Sequence, residues 1–183
     1  MEGTEKTKGT PKKENRKTRH TRQAIRDSLI ELMGTQPITN ITIKEICALA
    51  DISRPTFYAH YRNQYELLKT IEDEISVYFE RVVFADKTEK YTKREIRQKI
   101  EEVLCYIEGN SNSIQVLLSE NGDIGFQKRF FRRFAEYTRH AAKNFLKEET
   151  APEISELYSV FTAQGLIALV QRWLKNNMNP PKK

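Results

Sequence analysis

The chain has 183 residues, 31% of them charged, and a net charge of +6. That length allows one large or two small helical domains with a substantial core. No apolar run nears the roughly 18 residues of a membrane-spanning helix. No apolar stretch follows the lysine-rich start as a secretion signal would, so a cytoplasmic protein without a membrane partner is expected.

The charge is uneven, with twelve Lys and Arg against seven Asp and Glu in residues 1–62, and nineteen against eighteen in residues 63–183. A polyanion met by the N-terminal part suits this asymmetry, because neutralising phosphates releases condensed counterions. A solvated basic tail is the plain alternative. Residues 1–17 contain no large apolar side chain beyond Met1 and read as a disordered basic arm, unable to offset the entropy of ordering. From Thr18 a helix is predicted, its apolar face formed by Ile25, Leu29, Leu32 and Met33 and its end marked by Gly34 and Pro37. The connector 37–41 follows, its isoleucines expected to plug the core beneath the next two helices.

Thr42 and Glu45 have the spacing of a capping box, which predicts a helix from Ile43. Ser53 caps another that opens on Arg54-Pro55, where proline is tolerated because first-turn N–H groups lack intrahelical partners. Asp51-Ile52-Ser53 is then the short turn of a helix-turn-helix, the whole unit covering residues 18–62. Asn63 and Glu66 repeat the capping logic ahead of Leu67, Leu68, Ile71, Ile75, Phe79, Val82 and Val83. A charged loop, 86–91, leads to the Thr92–Glu95 box and a helix ending at Gly109. Ile114 to Leu118 forms a short helix broken by Asn121-Gly122, and Asp123 caps an aromatic-striped helix carrying Phe126, Phe130, Phe134, Tyr137 and Phe145. After Thr150 and Pro152 a last helix runs to about Asn176. Its second half is apolar nearly all round, so it must be buried on more than one side, in its own core or against a second copy. Cys47 and Cys105 lie in apolar helical patterns and read as small structural hydrophobes. The fold class is all-α, with residues 63–183 as a second helical domain.

Read together, the capped helix, its turn and Ser53-Arg54-Pro55-Thr56-Phe57-Tyr58-Ala59-His60-Tyr61 resemble the tetracycline-repressor family of one-component bacterial regulators. The resemblance implies a three-helix DNA-binding unit, then a larger helical domain for ligand binding and dimerisation, and a homodimer on a palindromic operator. The segment 165–174 is similar to the closing helix of a Gram-positive subgroup, some of whose members govern dihydroxyacetone metabolism. Two positions depart from the family. Asp51 stands where the turn commonly has glycine, which Asp tolerates because it visits the left-handed region more readily than most residues. Gln64 stands where a phosphate-binding lysine is usual, and its amide can hydrogen-bond phosphate without releasing a counterion.

The third helix of the unit, with Pro55 in its first turn, is expected in the major groove. Arg54 has the fork to bind guanine O6 and N7, and Thr56 suits a thymine methyl or a base-edge acceptor. The resemblance implies phosphate contacts from Tyr58 and His60, assisted by Thr42, Lys44 and Ser53. Phe57 and Tyr61, four residues apart, are assigned to the core against Leu29, Ile46 and Leu49. Tyr78, Phe79, Tyr106, Phe126, Phe130 and Tyr137 are the candidates to line a pocket for an unknown small-molecule effector, although such stripes are more often plain core. Phe161, Leu166, Leu169, Val170 and Trp173 are the candidates for the dimer interface. No cofactor or metal is expected, and no H-E-x-x-H, C-x-x-C, phosphate loop or G-x-S-x-G supports an enzyme. The resemblance implies a ligand-released repressor. The rival is a helical coactivator or interaction protein that has lost operator binding.

Overall fold

The computed structural model describes residues 16–84, 92–142 and 151–181, and all secondary structure there is helical. Helix α1, Arg16–Met33, buries Ile25, Leu29, Ile30 and Met33 along one stripe. It begins two residues before the expected boundary. The rest of the predicted arm, residues 1–15, lies outside the described residues. A single 3-10 turn, Ile38–Asn40, then delivers Ile41 into the core.

Helix α2, Ile43–Leu49, opens on the full capping box. The Thr42 hydroxyl accepts from the Glu45 N–H at 3.3 Å, and the Glu45 carboxylate accepts from the Thr42 N–H at 2.8 Å. The Thr42 hydroxyl, which also donates to this carboxylate, and then the Thr42 N–H hold the Glu45 carboxyl below the usual carboxylate range. Asp51 turns the chain with φ 51°, the left-handed conformation expected of it. Ser53 then caps α3, Arg54–Tyr58, by accepting from the Thr56 N–H at 3.3 Å.

Helix α4, Gln64–Phe79, continues through a wider π-type turn, Glu80–Phe84. Its cap is one-sided, since Asn63 accepts from the Glu66 N–H while Glu66 accepts from Arg62 rather than from Asn63. The predicted loop 86–91 lies outside the described residues, as do Phe145 and Thr150. Helix α5, Lys93–Gly109, starts on the reciprocal Thr92–Glu95 box. Helix α6 spans Ser111–Leu117. Helix α7, Ile124–Ala142, is capped by Asp123, which accepts from the N–H groups of Gly125 and Phe126. Between α6 and α7 a Cβ on Gly122 would meet the Leu117 carbonyl oxygen at 2.2 Å, so this turn requires glycine.

Helix α8, Pro152–Lys175, lies antiparallel to α7 and buries Ser159, Ala163, Ile167 and Leu174. The small residues let the axes approach, and the Thr138 hydroxyl donates across the seam to the Ser159 carbonyl at 2.9 Å. Gln171 anchors the far end by donating to the Leu118 carbonyl at 2.7 Å. The opposite face of α8 is uncovered.

Two core expectations are corrected. Leu49 is exposed, because the inward stripe of α2 is Ile43, Ile46, Cys47 and Ala50 and Leu49 stands about 110° round the helix from it. Cys105 is exposed rather than structural, about 160° from the apolar stripe of α5. Cys47 is buried, and burial pushes its thiol pKa up.

One polar group breaks the apolar face of α4. Glu72 is 3% exposed, its Oε1 has no hydrogen-bond partner among the described residues, and its Oε2 lies 3.8 Å from Arg129 of α7. Burial, reinforced by the Asp123 charge and opposed by Arg129 and Lys69, pushes its pKa from 4.5 to about 7. The folded state therefore binds more protons than the unfolded one between those values, and stability falls as pH rises through that window. Replacing Glu72 with Gln should abolish this slope. Urea titrations at pH 4.5 and pH 8 should show the native protein losing on the order of 3 kcal/mol relative to the variant.

Candidate nucleic-acid interface and ligand cavity

Helix α3 is too short to persist alone and is held by aromatic anchors. Phe57 is fully buried and Tyr61 nearly so, their rings 5.9 Å apart, in one core with Leu29, Ile41 and Ile46. The two anchors sit four residues apart, so the remaining faces of α3 are turned outward. Arg54, Pro55 and Tyr58 are exposed there, with Tyr58 at 56%. Arg54 and Tyr58 are one helical turn apart and share a face. Thr56 is half-buried, and its hydroxyl is engaged with Ser53 at 2.8 Å, which leaves its methyl for an apolar contact. His60 follows the end of α3 and is half-buried.

Flanking the anchors, Thr42 and Lys44 are exposed at the start of α2, and Gln64 is the first residue of α4. The Thr42 hydroxyl donates to Glu45 at 2.6 Å, so a phosphate would meet it already engaged. Arg16, Lys17 and Arg19 crowd the start of α1, which has no acidic residue in its first turn. Cations there oppose the helix dipole, and a nearby polyanion would relieve that cost.

A cavity of about 290 Å³ lies between α4, α5, α6, α7 and α8. Four of the predicted pocket residues, Phe79, Phe126, Phe130 and Tyr137, line it. Tyr78 and Tyr106 do not. They stack on each other with centroids 3.4 Å apart, and Tyr78 donates to the Glu102 carbonyl. The sequence reading missed the α5 wall, Ile96, Ile100, Val103, Leu104 and Ile107, although its spacing along one face is visible in the chain. Where α4 passes into its π-type turn, Glu80 is clamped by Arg133 of α7, and the Arg133 guanidinium also lies 5.6 Å from the Phe84 ring centroid.

The candidate interface residues of α8 divide. Phe161 and Leu169 are exposed on the outer face, which also carries Ile154 and Leu157, absent from the sequence-level set. Leu166 and Val170 line the cavity. Trp173 is half-buried, and its indole N–H donates to the Pro180 carbonyl at 2.8 Å.

Residues 25–71 match the family profile of bacterial regulatory proteins, tetR family, and residues 94–183 match that of a transcriptional regulator C-terminal region of the same family. Among solved structures, a TetR-like transcriptional regulator from Rhodococcus sp. RHA1 is similar at 17% identity over 86% of this chain and 85% of its own, with a TM-score of 0.62. A TetR transcriptional regulator from Streptococcus agalactiae 2603V is similar at 22% identity over 92% and 88%, with a TM-score of 0.56. The dihydroxyacetone kinase operon activator DhaS is similar at 18% identity over 86% and 85%, with a TM-score of 0.51. At these identities the likeness is one of fold. No curated protein sequence matches.

Holding and exposed residues should separate in stability. Phe57→Ala should cost about 3 to 5 kcal/mol in urea unfolding, whereas Tyr58→Phe should change it by less than about 0.5 kcal/mol.

Proposed function

We propose, from the premise that this chain belongs to the tetR family of bacterial regulatory proteins, that it is a cytoplasmic homodimeric repressor released from its operator by a small molecule. The family membership makes it a DNA-binding transcriptional regulator and not an enzyme. The observation that carries the finer reading is the division of the segment 54–61, with Phe57 and Tyr61 locked inward and Arg54 and Tyr58 presented outward. In this reading residues 18–62 read DNA and residues 63–183 bind ligand and dimerise. Arg54 reads a guanine edge, the Thr56 methyl meets a thymine, and Tyr58, His60, Thr42, Lys44, Ser53 and Gln64 position the unit on phosphates.

Dimerisation is supported by the uncovered face of α8, where Leu157 is 71% and Phe161 78% exposed. Covering such a stripe with its own copy gives a two-fold interface. A dimer would set two α3 units about 34 Å apart, one turn of DNA. The effector reading is supported by the cavity, whose walls include Ile75 and Phe79 of α4 and Val83 of the π-type turn that continues it. A ligand acts there only if it binds the DNA-competent and released forms with different affinities.

A second reading, a coactivator that no longer binds an operator, is favoured by Gln64 in place of the expected lysine and by the likeness to an operon activator. Fluorescence anisotropy with duplexes from the gene's upstream region, at several salt concentrations, separates the two. Binding at low salt that weakens steeply with added salt supports the DNA reader, and no binding to any duplex supports the coactivator. For the DNA reader, Arg54→Ala should relax specificity at one base pair by roughly 1 to 3 kcal/mol, and Tyr58→Phe should weaken all sequences alike. Leu157→Glu with Phe161→Glu should yield folded monomers by sedimentation and circular dichroism. A dimer surviving both changes overturns the assigned interface.

A further inference from the structure

The cavity has a shape, a polarity and an open end. Its α5 wall runs from Ile96 to Ile107 and its α7 wall from Phe126 to Tyr137, twelve residues each, whose ends lie about 16 Å apart along the helix. A volume of about 290 Å³ drawn out along that length is a trough. Along α7 the floor is a continuous ladder of rings, with centroid separations of 5.8 Å from Phe126 to Phe130, 6.4 Å to Phe134 and 6.2 Å to Tyr137.

Burial grades along α5. Ile96 is 40% and Ile100 54% exposed, Val103 and Leu104 are half-buried, and Ile107 is 3% exposed. The trough is therefore open near the start of α5 and closed where α5 meets α6, against Ile114 and Leu117. Among its described lining residues Lys99 alone carries a charge, and it stands between Ile96 and Ile100 at the open end. Apart from the Tyr137 phenol the remaining lining side chains are hydrocarbon. A sugar, nucleotide or polyol would lose hydration along this length with nothing to replace it. A polymethylene chain would lose none, and a single anionic group at its end would meet Lys99, the one cation among the described lining residues.

We propose that the trough binds a linear amphiphile of the fatty-carboxylate class, its chain laid along the aromatic ladder of α7 and its head at Lys99. The inference deepens the effector reading above and rests on it for any consequence at the operator. Chain length is then read by the depth of the trough, and head-group charge by Lys99. Each added methylene should raise affinity about fourfold until the closed end is reached, after which further length should gain nothing.

Isothermal titration of the full chain with straight-chain carboxylates from octanoate to tetradecanoate, below their micelle concentrations, tests this. Dodecanol and dodecyltrimethylammonium serve as neutral and cationic controls. The expected result is saturable binding of one carboxylate per chain, a rise with length followed by a plateau, at least tenfold weaker dodecanol and no binding of the cation. Lys99→Ala should weaken dodecanoate about tenfold and leave dodecanol unchanged, and Val103→Trp should abolish both by filling the trough. Absence of saturable binding, binding of all three head groups alike, or dodecanoate affinity unchanged in Lys99→Ala overturns the proposal. Operator affinity measured in the same samples keeps the two readings apart. Dodecanoate binding without any change at the operator leaves the ligand class standing and removes this class as effector. Operator release by another compound, with no dodecanoate binding, does the reverse.

Discussion

Helix α4 belongs to two packed regions at once, and the rest of the molecule depends on that sharing. Its first turns bury Leu67, Leu68 and Ile71, and its later turns line the cavity with Ile75, Phe79 and Val83. The inward face is continuous, so the residues beside the reading unit and those beside the cavity sit on one rigid rod about 24 Å long. Arg26 of α1 pairs with Glu74 near its middle, and Arg133 of α7 clamps Glu80 at its end. A displacement at either end has to be accommodated at the other or absorbed by bending. The π-type turn at Glu80–Phe84 is the place where the regular hydrogen-bond ladder already departs from α geometry.

Glu72 sits on this rod where local stability favours a hydrocarbon. Its neighbours along the face, Leu68, Ile75 and Phe79, are apolar, and its ion-pair partner among the described residues, Arg129, is shared with Asp123 at 3.8 Å from each. Arg129 is itself largely exposed, so water screens its attraction and the buried carboxylate is incompletely compensated. The α4–α7 contact is thereby held below the stability that an aliphatic residue would give it. A sub-maximal contact between the helix that spans both regions and the helix that floors the cavity is what a transition between two arrangements requires.

The parts of this fold that are legible in the amino-acid order are those closed within a few residues. Thr42 with Glu45, Ser53 with Thr56, Thr92 with Glu95, and Asp123 with Phe126 each satisfy backbone groups locally, so spacing alone reveals the helix starts. The Phe57 and Tyr61 anchors are legible for the same reason, being one turn apart on a face that the caps define. Properties set by a partner element are not legible in that way. Leu49 and Cys105 look like core residues until the direction of each helix's covered stripe is known. The apolar surround of α8 does not say which face meets α7, so Leu166 and Val170 could not be told from Phe161 and Leu169. Tyr78 and Tyr106 share the composition of the cavity wall but stack on each other outside it. Glu72 is masked by its residue type, since its spacing from Leu68, Ile75 and Phe79 places it on the inward face while a carboxylate reads as a surface group.

The weakest wall of the cavity bears on how an occupant could act. Helix α5 buries a single residue, Ile107, while Ile96 and Ile100 of its apolar stripe remain exposed, so its first turns gain little from packing. Filling the trough supplies those isoleucines with apolar contact and ties α5 to Phe79 and Val83 through the occupant. The gain is available only to arrangements in which α4 and α5 enclose the chain, and it therefore weights the ensemble toward one position of α4. In the proposed homodimer the consequence would be doubled, because two reading units on one DNA would both have to keep register, and a shift small at each cavity would remove the advantage of simultaneous engagement. The same physics limits the device. An occupant that leaves α4 where it already lies adds affinity for both arrangements equally and changes nothing at the DNA.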